Sequence, residues 1–328
     1  MTELRIRPYD YLVTGGAGFI GSHLCEALLR RGHSVLVIDD LSTGSLSNLS
    51  VCADNPDFSY VVGSVLDASL VSEAVDLCDR ILHMAAAVGV ENIIRRPVET
   101  IEANVKGTEN VLNAACKKMR RTFIASTSEV YGKSNDVPFR EDGDIVLGAT
   151  QRSRWSYACS KAIDEFLAQA YWKDKDLPVI IGRLFNTVGL RQSGRYGMVL
   201  PRFIDQALTG KPITVYGDGK QTRCFSLVDE IVECVLALMD NDDALGKVIN
   251  IGCTQEVSIG ELARKVKSIS GCESEIELIP YSEAYPDDFE DMRRRVPDVA
   301  LLRSLIGMVP EAGINQIIES ILAGRSEE

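Results

Sequence analysis

The chain has 328 residues, 45% hydrophobic and 25% charged, with 35 Lys+Arg against 47 Asp+Glu and a net charge of −12. This is ordinary globular composition and excludes a mainly disordered chain. Its acidic balance argues against a nucleic-acid binder, which needs clustered Lys and Arg to neutralise phosphates.

Tyr11-Leu12-Val13 is a short apolar run ended by Thr14-Gly15-Gly16. A helical pattern follows, with Ile20, Leu24, Ala27 and Leu28 on one face and Arg30-Arg31-Gly32 as its stop. Ser34 to Ile38 reads as a second buried strand closed by Asp39-Asp40. The alternation continues with strands at 58–62, 80–84, 122–126 and 178–184 and helices at 67–77, 97–118 and 157–172. Continuous Val/Ile/Leu strands alternating with helices predict a parallel sheet covered on both faces.

Beyond Asn186 the pattern loosens into a loop over 189–197, short strands at 213–215, 248–251 and 276–278, and helices near 198–209, 226–240, 258–269 and 298–306. The predicted fold is α/β: a Rossmann-type doubly wound parallel sheet with a smaller C-terminal α/β lobe. The expected division is residues 1–185 and 186–328, with some of the second stretch crossing back, and ligand in the cleft between.

Nine cysteines without a CxxC spacing fit a reduced cytoplasmic protein better than a disulfide framework. Three scattered histidines predict no zinc site. No signal peptide is visible at the N-terminus, and no apolar run approaches the roughly 20 residues of a membrane helix. A soluble, cytoplasmic protein is expected.

Glycines at 15, 18 and 21 follow a predicted strand and open a predicted helix. Gly15 permits the tight turn, Gly18 lets the backbone approach a pyrophosphate at the helix N-terminus, and Gly21 allows close helix–strand packing. Asp39 ends the next strand, where a carboxylate can accept from a ribose 2′-hydroxyl and would repel a 2′-phosphate. The expected cofactor is therefore NAD, with Asp40 as the alternative ribose partner.

Tyr157 and Lys161 stand four apart and share a face if helical. An ammonium near a phenol favours phenolate, making Tyr157 a plausible base for a sugar hydroxyl. Ser126-Thr127-Ser128-Glu129 follows the fifth strand, and ligands in such sheets bind beyond the carboxyl ends of strands.

With these stretches the chain resembles the extended short-chain dehydrogenase/reductase family of nucleotide-sugar epimerases, dehydratases and decarboxylases. The likeness is carried by TGGAGFIGSHL from Thr14, ASTSEVYG from Ala125, YACSK from Tyr157, RLFNTVG from Arg183, VYGDGKQTRCF from Val215 and RRRVPDV from Arg293. It implies an NAD that is reduced and reoxidised within one turnover. Tyr157 would take the C4 hydroxyl proton, Lys161 would hold the nicotinamide ribose and lower the tyrosine's pKa, and Thr127 would bond the C4 oxygen, with Ser128 and Glu129 beside it.

Further cofactor contacts are implied for Phe19, Ile20, Ser64, Val65, Ala85, Ala86 and Asn104. Substrate contacts are implied for Val88, Gly89, Glu129, Asn186, Arg191, Val199, Val215, Tyr216, Arg223 and Arg295. Phe185-Asn186 would meet the diphosphate, neutralised by Arg223 and Arg295. A uracil would lie along Val215-Tyr216. Relatives of this kind dimerise through the helices at 97–118 and 157–172, so a homodimer is expected.

Glu129 resembles the glutamate of UDP-glucuronate decarboxylases, and Arg295 aligns with an arginine implicated in their decarboxylation site. Val90 and Ile93 depart from those enzymes, which carry a proline and a tyrosine there, and look more like epimerases of neutral sugars. Ser64 replaces the aspartate that many members direct at adenine. The expectation is decarboxylation of UDP-glucuronate. The alternatives are 4-epimerisation of a UDP-hexose or UDP-hexuronate, nucleotide-sugar 4,6-dehydration, and an NAD-binding regulatory protein. The last would require loss of Tyr157 or Lys161, and both are present.

Overall fold

A computed structural model describes residues 7–89, 96–152, 154–194, 198–284 and 292–326. Its main sheet runs through β1 (Tyr9–Thr14), β2 (Val35–Asp39), β3 (Phe58–Val62), β4 (Cys78–His83), β5 (Arg121–Thr127) and β6 (Val179–Leu184). The strand order is β3-β2-β1-β4-β5-β6, with Val248–Ile251 as a seventh strand beside β6. All pairings in this sheet are parallel. Such a sheet must be covered on both sides, and it is. Helix α1 (Phe19–Arg30), the helix Val228–Met239 and Leu302 form one apolar layer. Helices α2 (Ala68–Asp76), α3 (Pro97–Lys118) and α4 (Arg154–Lys175) supply the other.

Local chemistry sets the helix ends. Asp67 caps α2 by accepting from the Ser69 and Leu70 backbone N–H groups. Pro97 opens α3, where its missing N–H costs nothing. Met119 closes α3 in the left-handed region at φ 52°.

After β6 the chain builds a second apolar core from the helices Val199–Leu208, Ile259–Ser270 and Ile314–Ser326 and the short strands around them. It twice returns to the large sheet, through residues 228–251 and through the helix Ala300–Ile306. The helix Ile314–Ser326 and the two-residue strands Thr187–Val188 and Ser226–Leu227 were not expected from sequence. Among the described residues no helix is long and apolar enough to cross a membrane.

One buried cluster fixes the site. Arg183 on β6 binds Glu165 on α4 through Nη2–Oε2 at 2.7 Å, and Ser126 Oγ on β5 donates to the same carboxylate at 2.5 Å. The cluster ties α4 to the carboxyl ends of β5 and β6, next to Thr127. Breaking a buried pair of this kind typically costs about 3–5 kcal/mol, so α4 is held firmly against the sheet.

Candidate active site

A cavity of about 530 Å³ opens beyond the carboxyl ends of β1, β4 and β5 and extends to the C-terminal lobe. It lies where strand order reverses between β1 and β4, as expected for a doubly wound sheet.

The glycine loop forms its floor. Gly15 adopts φ +71°, and a Cβ there would lie 2.7 Å from the Ala85 backbone nitrogen. A Cβ on Gly21 would meet the Gly15 carbonyl oxygen at 2.1 Å. Gly18 caps α1 with no side chain over the helix end. The first turn therefore presents bare N–H groups and the positive end of the helix dipole to the cavity. A cradle this close fits a pyrophosphate.

Asp39 does more than line the ribose end. Its Oδ2 accepts the Ala17 N–H at 2.9 Å and its Oδ1 the Leu41 N–H at 2.8 Å, so it fastens the glycine loop. Each oxygen retains a lone pair for a hydroxyl. Burial pushes this carboxyl up, partly offset by those backbone donors. Asp40 also faces the cavity and accepts from Ser42 N–H at 2.9 Å.

At the other end, Thr127 terminates β5 and its Oγ1 accepts the Glu129 N–H at 3.2 Å. This cap turns Ser128-Glu129 into the cavity. Glu129 Oε1 lies 2.5 Å from Arg295 Nη2, which joins the sheet's edge to the C-terminal lobe. Tyr157 faces them from α4, with Thr127 among the groups that act on its phenol. Burial first, then the Glu129 and Asp164 charges, raise the phenol well above the ordinary tyrosine range, against the opposing pull of Thr127 and Arg295.

Every residue expected in the site lines this cavity except Asn104, Lys161, Phe185 and Val215; Phe185 is fully buried in an apolar cluster with Tyr131 and Phe139. Asn104 stands behind the wall, bonding the Ala87 N–H through Oδ1 at 2.8 Å and Ser160 Oγ through Nδ2 at 3.0 Å. Val215 points into the core of the second lobe and is fully buried. Alternation along the strand Ile213–Tyr216 gives the cavity Tyr216 instead.

Lys161 does not line the cavity. Its ammonium is buried against Asp164 Oδ2 at 2.6 Å, because Asp164, three residues on, lies on the same helix face. The phenol is raised, by burial first, rather than lowered. Val90 and Ile93 lie outside the described residues.

Three residues were missed. Arg202 stacks over the Tyr216 ring at 3.8 Å, and the Tyr281 hydroxyl accepts from Gln221 Nε2 at 3.2 Å. Gln221 also donates to the Tyr216 carbonyl at 2.9 Å. Together they form a flat, aromatic, cation-backed recess. Gln221 lies inside a quoted motif, whereas Arg202 and Tyr281 carry no local signal.

Comparison with known proteins gives a consistent set. The profile of the NAD dependent epimerase/dehydratase family matches residues 11–252. A UDP-N-acetyl-alpha-D-glucosaminuronate decarboxylase from Bacillus cytotoxicus is 42% identical, over 94% of this chain and 96% of its own. UDP-glucuronic acid decarboxylase 1 of Danio rerio is 34% identical, over 94% of this chain and 71% of its own. Among solved structures, a UDP-glucuronic acid 4-epimerase from Bacillus cereus, in complex with UDP-glucuronic acid and NAD, superposes with a TM-score of 0.87 at 27% identity, covering 97% of this chain and 99% of that one.

Proposed function

Because the chain belongs to the NAD dependent epimerase/dehydratase family, we propose that it decarboxylates a UDP-linked hexuronate after oxidising the sugar at C4. The observation that carries this reading is the Glu129–Arg295 ion pair beside Thr127 and Tyr157. A 4-epimerase of a neutral sugar needs only hydride return to the opposite face of a rotated ketone, and its chemistry calls for no carboxylate–guanidinium pair at the reacting end. The most similar relatives quoted above are both uronate decarboxylases by name.

The glycine cradle and Asp39 would hold NAD, which would supply a reversible hydride acceptor for C4. Tyr157 takes the C4 hydroxyl proton while Thr127 bonds the C4 oxygen. With C4 a ketone, the C6 carboxylate belongs to a β-keto acid. The C5–C6 bond breaks, carbon dioxide leaves, and the bonding pair moves into the C4–C5 enolate. Arg295 orients the departing carboxylate, and Glu129 holds Arg295 and relays the proton that C5 takes up. Arg191 and Arg223 neutralise the diphosphate, and the Tyr216–Arg202 recess holds the base.

The test is incubation with NAD and, separately, UDP-glucuronate and its 2-acetamido counterpart. Mass spectrometry should find a UDP-pentose or UDP-acetamidopentose, or its 4-keto form, from at least one of them. An isomer of unchanged mass from both would replace this reading with epimerisation.

The proposal extends to a homodimer through α3 and α4. These adjoining helices expose Val98 and Ile101, and Ile163 and Phe166, the last at 68%. Isolated exposed apolar residues are ordinary, and the proposal rests on two such pairs falling on neighbouring helices. Phe166→Asp should shift the protein from dimer to monomer in analytical ultracentrifugation; a dimer of unchanged affinity would remove this face from consideration. The nine free cysteines fit a reducing compartment, and we place the protein in the cytoplasm.

A further inference from the structure

Along α4 from Tyr157, the helix buries a charged pair that the reaction chemistry alone does not explain. The Lys161 and Asp164 side chains are 2% and 0% exposed, with Nζ 2.6 Å from Oδ2. Burying an ion pair is a poor way to stabilise a fold, since desolvation costs several kcal/mol per ion. Nor is the pair fully braced. Asp164 Oδ1 is buried and makes no hydrogen bond, although buried carboxylate oxygens normally find a partner.

The polar groups nearby are shared with other partners. Thr108, which faces the Asp164 carboxylate, has its hydroxyl 3.1 Å from His83 Nε2. His83 Nδ1 bonds Thr14 Oγ1 at 2.7 Å, and burial pushes this imidazole down to about 3, so it is neutral. Glu165, the adjacent carboxylate, belongs to Arg183. Asp164 is therefore the carboxylate that balances the Lys161 charge. Tyr157 is faced from other elements by Thr127, Glu129 and Arg295.

We propose that Asp164 is a positioning residue for the Tyr157–Lys161 pair: its carboxylate anchors the ammonium in the core and offsets its charge, so that a residue not lining the cavity governs how readily Tyr157 gives up its proton. The inference rests on the reading of Tyr157 as the proton acceptor. While Asp164 is ionised, the pair presents little net charge to the phenol. With a neutral side chain there, the ammonium acts uncompensated and favours phenolate, an effect of about one pH unit or more for a neighbouring cation.

The experiment is a difference titration of phenolate absorbance, taken between the full-length protein and its Tyr157→Phe variant, and repeated in the Asp164→Asn background. The midpoint belonging to Tyr157 should fall by about one unit or more in Asp164→Asn, and the acid limb of kcat/KM should move the same way. Asp164→Glu should restore both. Equal midpoints in the two backgrounds, with only a lower melting temperature in Asp164→Asn, would overturn the proposal and leave Asp164 a structural residue. Asp164→Ser serves the same arm should the asparagine variant not fold. The titration needs no turnover: a shifted midpoint in a protein inactive on every uronate would fault the proposed reaction and not this inference.

Discussion

Tyr157→Phe lowers turnover of a UDP-uronate by roughly 10²–10⁴-fold, the range ordinarily contributed by one acid–base group, while nucleotide binding is retained. The ring stays on α4 and only the phenolic oxygen goes. The glycine cradle, built by contacts among Gly15, Gly21 and Ala85, does not depend on that oxygen. Wild-type activity should rise with pH along its acid limb. Burial and the Glu129 carboxylate keep the resting phenol protonated, and a base must be deprotonated to act. Steady-state kinetics together with quantitation of bound NAD checks both halves. Near-normal turnover would mean that another group takes the C4 proton, and loss of NAD would mean that the ring hydroxyl supports the cofactor site.

Glu129→Gln should fall in the same range but stop the reaction later. The amide keeps the shape of the side chain and removes the charge that holds Arg295 at 2.5 Å. In the proposed reaction oxidation at C4 needs Tyr157 and Thr127, and both remain. Rapid-quench mass spectrometry should therefore find uronate oxidised at C4 accumulating before carbon dioxide is released. Product formation at the wild-type rate would reduce Glu129 to a tether for the C-terminal lobe.

The glycine loop was legible because its constraints are local. A positive φ at Gly15 and a 2.1 Å approach at Gly21 leave no other residue type, and strand, loop and helix follow one another within a few residues. The parallel strands were legible for a related reason: burial on both faces writes an unbroken apolar run. The helix Ile314–Ser326 was overlooked, yet Ile314, Ile317, Ile318 and Ile321 carry a helical period. Strands of two residues, such as Thr187–Val188, are too short to write any period.

Lys161 illustrates a different limit. Its spacing from Tyr157 placed the two on one face, but the same rule applies to Asp164 three residues further on, and spacing alone does not rank the two partners. Tight burial does, since an ammonium removed from water takes the carboxylate within reach. Val215 was misassigned because a motif was read as a block when a strand alternates. The Arg202–Tyr216 stack joins a helix to a separate strand, and only the folded chain brings such partners together.

The most direct measurement is the fate of the sugar's C6 carbon. With UDP-uronate labelled at C6 and NAD supplied, the label should appear as carbon dioxide in step with the unlabelled nucleotide pentose or its 4-keto form. Label retained in a C4 epimer, or in unreacted uronate while NAD is bound, would contradict decarboxylation.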